Sequence, residues 1–357
     1  MSVTSTISRK TGLTNERLLF LDSLRAIAII MVVGVHTGSY CIPLSENQQA
    51  IISFIVHTVS VPVFFLVDGF LFARSSTYSS HHNYFNNVKK STNRLLLPWL
   101  IFTFTYTITR YGLELNGLTK ETLIVGHSFQ EVLISAYGSV YSGQMYFLAS
   151  LFLIRLCSPI FRRFVLLESF TIMVALFALY FSIYKVGISY ISPYLIIEGG
   201  QEPVLHALWG IQFYLVGIIL YKSSVIIDLK KLCIPSLLLF MAVLLLRNEL
   251  WDIGPVLTQY SYLIALFLLF MIIGDRMSFL NIIGKNTMGI YLLHAPVILK
   301  VVSLASNKII SIPILSFTVI LIGTLIISLL IVIFTRTIPY GGVLFGEGAK
   351  KLTILQR

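Results

Sequence analysis

The chain has 357 residues, 56% of them hydrophobic and 11% charged, with a formal net charge of +11 and a mean hydropathy of +0.87. No water-soluble core hides that much apolar surface, so the composition excludes a soluble globular enzyme and points to an integral membrane protein. Its 3 cysteines, Cys41, Cys157 and Cys233, lie far apart and argue against both a disulfide framework and a thiolate metal site.

Apolar runs of spanning length recur along the chain, near 19–42, 50–72, 93–112, 138–160, 164–184, 204–222, 232–247, 255–274, 284–305 and 311–335. The expected fold is all-α: a polytopic integral membrane helix bundle of about ten transmembrane helices with no soluble domain, since open strand edges cannot be satisfied in lipid. Residues 1–18 and 336–357 are expected to be cytoplasmic tails around a transmembrane domain over 19–335. Asp22 and Arg25 interrupt what would be the apolar region of a signal peptide, and no A-x-A-like site follows, so the first helix is expected to stay.

That first run, RLLFLDSLRAIAIIMVVGVHTGSYC, carries Arg25 and His36. An Arg near the centre of a membrane costs roughly 2.5–3.5 kcal/mol, so the pair asks for a reason. Eleven helical steps turn through about 1100° and rise about 16 Å, which puts both side chains on one face at two depths. Asp22, three residues before Arg25, shares that face as an ion-pair partner. A neutral imidazole at His36 can take a proton or attack an acyl carbon. Arg25, even when ion-paired, still presents donors to phosphate.

The second run ends VPVFFLVDGFLFAR and places Asp68 where a carboxylate orients a cation from the first helix or caps a short break. Next comes a basic stretch with Lys89, Lys90 and Arg94, running into RLLLPWL; it suits the phosphates of a nucleotide-containing donor and anionic lipid equally well. His57 and His206 read as interfacial. A four-histidine metal site lacks the spacing on one helix that would support it, and no metal is expected. The ninth run, GKNTMGIYLLHAPVI, puts Tyr291 and His294 on nearly one face with Pro296 loosening the helix just beyond. His36 and His294 fall at comparable heights and could line one cavity.

Between the runs, the odd-numbered loops keep only Arg110, Lys120, Lys185, Arg247, Lys300 and Lys308, while the other loop and terminal Lys and Arg fall on the opposite side. This bias orients both termini to the cytoplasm and accounts for the positive charge without nucleic acid. Outer-loop residues Glu114, Glu121, Glu198, Glu202, Trp251 and Asp252 are candidates to line an acceptor site.

FLDSLRAIAIIMVVGVH and GKNTMGIYLLHAPVI together resemble the opening helix and the late G-x-x-S-x-G-I-Y-L-x-H segment of the acyltransferase-3 family, polytopic membrane O-acyltransferases of cell-envelope and surface glycans. Weaker similarities are PVFFLVDGFLF, NRLLLPWL, QMYFLASLFLIRL and YLVGIIL. Asp68-Gly69 stands where the family commonly has Ser-Gly, Thr287 where Ser is frequent, and Tyr146 in place of a usual Trp. The resemblance implies an acyl-CoA donor substrate, usually acetyl-CoA, with no permanently bound cofactor. It further implies a surface or lipid-linked glycan acceptor and the bacterial plasma (inner) membrane. It puts His36 in the catalytic position, as general base or acyl carrier, and Arg25, with Lys90 and Arg94, on the donor. Asp22, Asp68, Tyr291 and His294 are supporting residues. A transporter or flippase, and a lipid-linked glycosyltransferase, are the alternatives; neither the paired broken half-helices of the first nor the acidic outer-loop motif of the second is in the sequence.

Overall fold

A computed structural model describes residues 18–78, 84–119, 121–197, 200–250 and 253–348. Lys120, Glu198, Trp251, Asp252 and most of the expected tails lie outside these residues. Among the described residues every regular element is helical. Seven helices are long and apolar enough to cross a membrane, or eight if Gly143–Leu156 and Ser158–Leu166, bent by 60°, form one span. The expected count of about ten is not confirmed by length and composition. Helix Leu97–Leu115 has 19 residues but carries Thr103, Thr105, Thr107, Thr109, Arg110 and Glu114. Helix Cys233–Leu245 has 13 residues, about 20 Å of rise against a hydrocarbon core of about 30 Å. An odd number of crossings puts the two ends on opposite sides and an even number on the same side, so the count bears directly on the expected orientation.

The chain divides into two compact units: one takes residues up to Ser80 with Phe213–Ile290 and Val297–Leu329, the other His81–Gln212 with Tyr291–Pro296 and Leu330 onward.

In the first unit, helix Leu19–Thr37 is apolar on nearly every side, and Leu21, Leu24, Ala28, Ile29 and Val33 are each 1% exposed or less. It packs against helices Glu46–His57, Ser60–Tyr78, Gly254–Ile273 and Ser278–Lys285. Lipid tails are as apolar as the side chains they replace, so close backbone approach and interhelical hydrogen bonds decide such packing. Both devices are present. A Cβ on Gly69 would lie 2.0 Å from the Tyr214 carbonyl oxygen, and one on Gly217 would lie 2.0 Å from that of Leu66, so helices Ser60–Tyr78 and Pro203–Ile226 touch backbone to backbone. Phe70 fills the space beside this crossing, edge-on to Tyr221 at 5.4 Å and to Phe20 at 6.3 Å. Pro62 has no N–H to offer the Thr58 carbonyl one turn earlier; Gln259 Nε2 donates to that carbonyl at 2.9 Å instead.

The second unit repeats this accounting twice. Helix Thr287–Leu293 ends before Pro296, and Ala295 is extended at φ −129°, ψ 153°, as a residue before proline should be. Pro296 cannot donate to the Leu292 carbonyl, which accepts from the Tyr106 hydroxyl at 2.5 Å. At Pro98 the preceding helix widens into a π-turn, Thr92–Leu96, closed by Leu97 N–H donating to the Thr92 carbonyl. In the last turn of helix Leu97–Leu115, the Glu114 carboxylate accepts from Arg110 and from the backbone N–H groups of Leu123, Ile124 and Val125, tying down the loop that follows. Burial would raise this carboxyl, but Arg110 and the three N–H groups outweigh it and pull it down to about 2.

Candidate functional site

Asp22 is 2% exposed in the first turn of helix Leu19–Thr37, and its Oδ1 stands 3.5 Å from Arg25 Nη1. The expected pair is therefore formed, with the carboxylate buried and the guanidinium reaching toward the surface. Why Asp22 is so enclosed follows from a distant segment. A Cβ on Gly284 would lie 2.0 Å from the Asp22 carbonyl oxygen, and one on Gly274 would lie 2.8 Å from the Phe20 Cα, so both segments lie flush on the first helix. Ser23 Oγ seals the contact, donating to the Gly274 carbonyl at 2.7 Å and standing 3.1 Å from Asn281 Oδ1. Neither Ser23 nor Asn281 stood out in the sequence, where a lone Ser and Asn near helix ends carry no signal of a partner more than 250 residues away.

His36 lies on the same uninterrupted helix, eleven residues beyond Arg25 and half-buried in the last turn. His57 is exposed at the end of the next helix, Glu46–His57. One of the two readings of Asp68, the cap on a short break, requires a correction. The expected break near it is absent: helix Ser60–Tyr78 runs straight through Asp68 and Gly69, and the glycine serves the close crossing with Tyr214 instead. Asp68 is 9% exposed inside that helix rather than at a cap.

The remaining candidates belong to the second unit. Lys90 is exposed at the end of helix Tyr84–Ser91, and Arg94 is exposed on the π-turn that follows. Tyr291 and His294 sit on either side of the last turn before the break, and His294 is fully buried. The His294 Nδ1 stands 2.8 Å from the Tyr291 carbonyl oxygen. A carbonyl only accepts, so Nδ1 carries the hydrogen and Nε2 is the basic nitrogen of the neutral ring. Gln144, which sequence reasoning passed over, brackets this histidine: the Tyr291 hydroxyl donates to its backbone carbonyl, and its side-chain Nε2 donates to the Ala295 carbonyl. The signal lay in QMYFLASL, a lone amide at the entry to an apolar helix.

Tyr146, which stands in place of a usual Trp, has its ring centroid 4.0 Å from that of His206 with the planes tilted by 34°, and the His206 Nε2 donates to Gln201 Oε1 at 2.7 Å. Two of the acceptor-site candidates are already engaged. Glu114 holds its own loop, and Glu202 caps helix Pro203–Ile226 through the N–H groups of Val204 and Leu205. Among the described residues no three His, Cys, Asp or Glu side chains gather as a metal ion would require.

A family model described as an acyltransferase domain, acyltransferase-3, matches residues 18–333. Neither a curated protein nor a solved structure gives a match. The matched residues begin immediately before the first helix and include Asp22, Arg25, His36, Asp68, Lys90, Arg94, Tyr291 and His294.

Proposed function

The chain belongs to the acyltransferase-3 family, and from that premise we propose that it is an O-acyltransferase of the bacterial inner membrane. It transfers an acyl group, acetyl in the first instance, from cytoplasmic acyl-CoA to a hydroxyl of a surface or lipid-linked glycan. Both termini lie in the cytoplasm in this reading. The observation that carries it is the first helix: Arg25, held by buried Asp22, and His36 stand eleven residues apart on one uninterrupted helix, a rise of about 16 Å. That separation is comparable to the reach of a pantetheine arm.

Arg25 offers its guanidinium to the phosphates of the donor, a planar fork that remains charged at any working pH. Lys90 and Arg94 are further phosphate ligands, and Asp22 fixes the Arg25 rotamer. At His36 the acceptor hydroxyl loses its proton as its oxygen attacks the acyl carbon. The ester C–O bond forms, the thioester C–S bond breaks, the electron pair leaves on sulfur, and the proton ends on CoA-SH. His36 serves this exchange as general base or as transient acyl carrier, and the base role alone is worth about 10²–10⁴-fold.

The test is mass analysis of surface polysaccharide from cells carrying the wild type, His36→Ala or Arg25→Ala at matched membrane abundance. We expect one added ester with the wild type, none with His36→Ala, and a diminished level with Arg25→Ala that tracks weaker stabilisation of the purified protein by acetyl-CoA. Retained acylation by His36→Ala would remove that residue from the reaction, and a wild-type protein indifferent to acetyl-CoA would sink the donor assignment.

A further inference from the structure

The Lys90 and Arg94 region has a support that the family match does not reach. Pro98 cannot donate to the Arg94 carbonyl, and its ring crowds that oxygen, which is why the helix opens into a π-turn there. Such turns recur at functional sites. Leu95 is buried at 3% exposure while Arg94 stays exposed, so the backbone is anchored and the cation is presented. The Arg94 carbonyl faces Gly346: a Cβ there would lie 2.3 Å from the oxygen and 2.9 Å from the Arg94 Cα. Gly346 also has φ +72°, a left-handed conformation that disfavours any other residue. It closes a 3₁₀ turn, Gly341–Phe345, whose Phe345 is 3% exposed and which packs on helix Leu97–Leu115. An ion pair between Arg336 and Glu347 straps the turn, and Glu347 N–H donates to the Gly342 carbonyl at 3.0 Å. The turn and its strap, Arg336 to Glu347, lie beyond residue 333, where the family match ends.

We propose that the segment Tyr340–Glu347 is a positioning clamp for a phosphate-binding site made by Lys90 and Arg94, with Gly346 as the residue through which it acts. The inference rests on the acyl-CoA reading above. Two exposed cations four residues apart, Lys90 at the helix end and Arg94 on the anchored turn that follows, lose little freedom on gripping a phosphate, and that saving is what a clamp contributes. Gly346 is a positioning residue: it touches Arg94, not the ligand. The phosphate chemistry fits both the 3′-phospho-ADP end of acyl-CoA and an anionic lipid headgroup, and the two are separable.

The experiment uses the full chain purified in detergent, titrated with acetyl-CoA, with acetyl-3′-dephospho-CoA and with phosphatidylglycerol, and read by thermal stabilisation. Arg94→Ala and Gly346→Ala are each expected to weaken acetyl-CoA binding by about tenfold, equivalent to 1.4 kcal/mol. The double variant should be no weaker than Arg94→Ala, since the glycine acts only through the arginine. Should Gly346→Ala fail to fold, Glu347→Gln loosens the strap without adding bulk and should weaken acetyl-CoA severalfold, again only while Arg94 is present. Weakening by Gly346→Ala that adds in full to Arg94→Ala overturns the clamp, as does undiminished acetyl-CoA binding by both single variants. A loss of phosphatidylglycerol stabilisation alone would assign the cations to lipid and also overturn it. A wild type that acetyl-CoA does not stabilise refutes the parent reading and this inference with it. A stabilised wild type with an indifferent Gly346→Ala refutes this inference only.

Discussion

Gly284→Ala and Gly187→Ala are the same chemical change in two helices and should have opposite signs. At Gly187, inside helix Phe170–Leu195, an added Cβ meets nothing within 4 Å. Alanine there gains helix propensity and should stabilise by about 0.5–1 kcal/mol. At Gly284 the same methyl lands 2.0 Å from the Asp22 carbonyl oxygen, where ordinary contact begins at 3.4 Å, so the backbones must part by about 1.4 Å. The obstacle is main chain, which cannot rotate aside. Overpacking of this kind typically costs about 1–3 kcal/mol, and the propensity gain offsets at most about 1 kcal/mol of it. The displaced residue is the counter-charge of Arg25, so donor binding should weaken along with stability. Thermal melting in detergent, with and without acetyl-CoA, reads both effects. Equal melting shifts for the two variants, or a Gly284→Ala protein as stable as wild type, would refute the argument that Gly284 is there for the close approach.

Three further outcomes follow from the geometry. His294→Ala removes the Nδ1 donor from the Tyr291 carbonyl and should destabilise by about 1–3 kcal/mol, with His294→Asn, which keeps a donor near that position, losing less; equal melting of the two variants would take the hydrogen bond out of the account. Tyr106→Phe should destabilise by about 0.6–1.7 kcal/mol, because it takes the hydroxyl donor from the buried Leu292 carbonyl; a variant that melts with the wild type would contradict the role given to that bond. Glu114→Gln should cost about 1–3 kcal/mol at neutral pH. Because the Glu114 carboxyl is held down at about 2 against an ordinary 4.5, its contribution is complete above the ordinary value and is lost as pH falls through that window. The melting gap between variant and wild type should close over the same range, and a constant gap would refute it.

The first helix was legible because charge in lipid is costly: Asp22 and Arg25 announce a pair, and the structure forms it. The helix break after His294 was legible from Pro296 for a similarly local reason. What escaped the sequence was everything that depends on a second segment. Gly284 reads as one glycine among 23 until its contact with Asp22 is seen. Gln144 needed the Ala295 carbonyl to give it meaning. Helix count was less legible: the runs near 93–112 and 232–247 fold as the threonine-rich helix Leu97–Leu115 and the 13-residue helix Cys233–Leu245, and neither is among the seven or eight helices that length and composition alone mark as spans. The break expected at Asp68 is absent because Asp-Gly is a turn signal in water, whereas in a packed membrane helix the glycine makes room for a neighbouring backbone.

The proline-freed carbonyls bear on how the chain is made. Thr58 waits for a donor 201 residues later in the sequence, and Leu292 receives one from Tyr106, 186 residues earlier. A ribosome delivers these partners about 40 s apart at the slower rates of synthesis, about 5 residues per second. During that interval the early helices hold a polar group that lipid cannot satisfy. Nascent helices Glu46–His57 and Ser60–Tyr78 should therefore stay beside the insertion machinery, where water reaches the Thr58 carbonyl, until helix Gly254–Ile273 arrives. Chains halted before Gln259 should remain crosslinkable to that machinery, and chains extended past it should release.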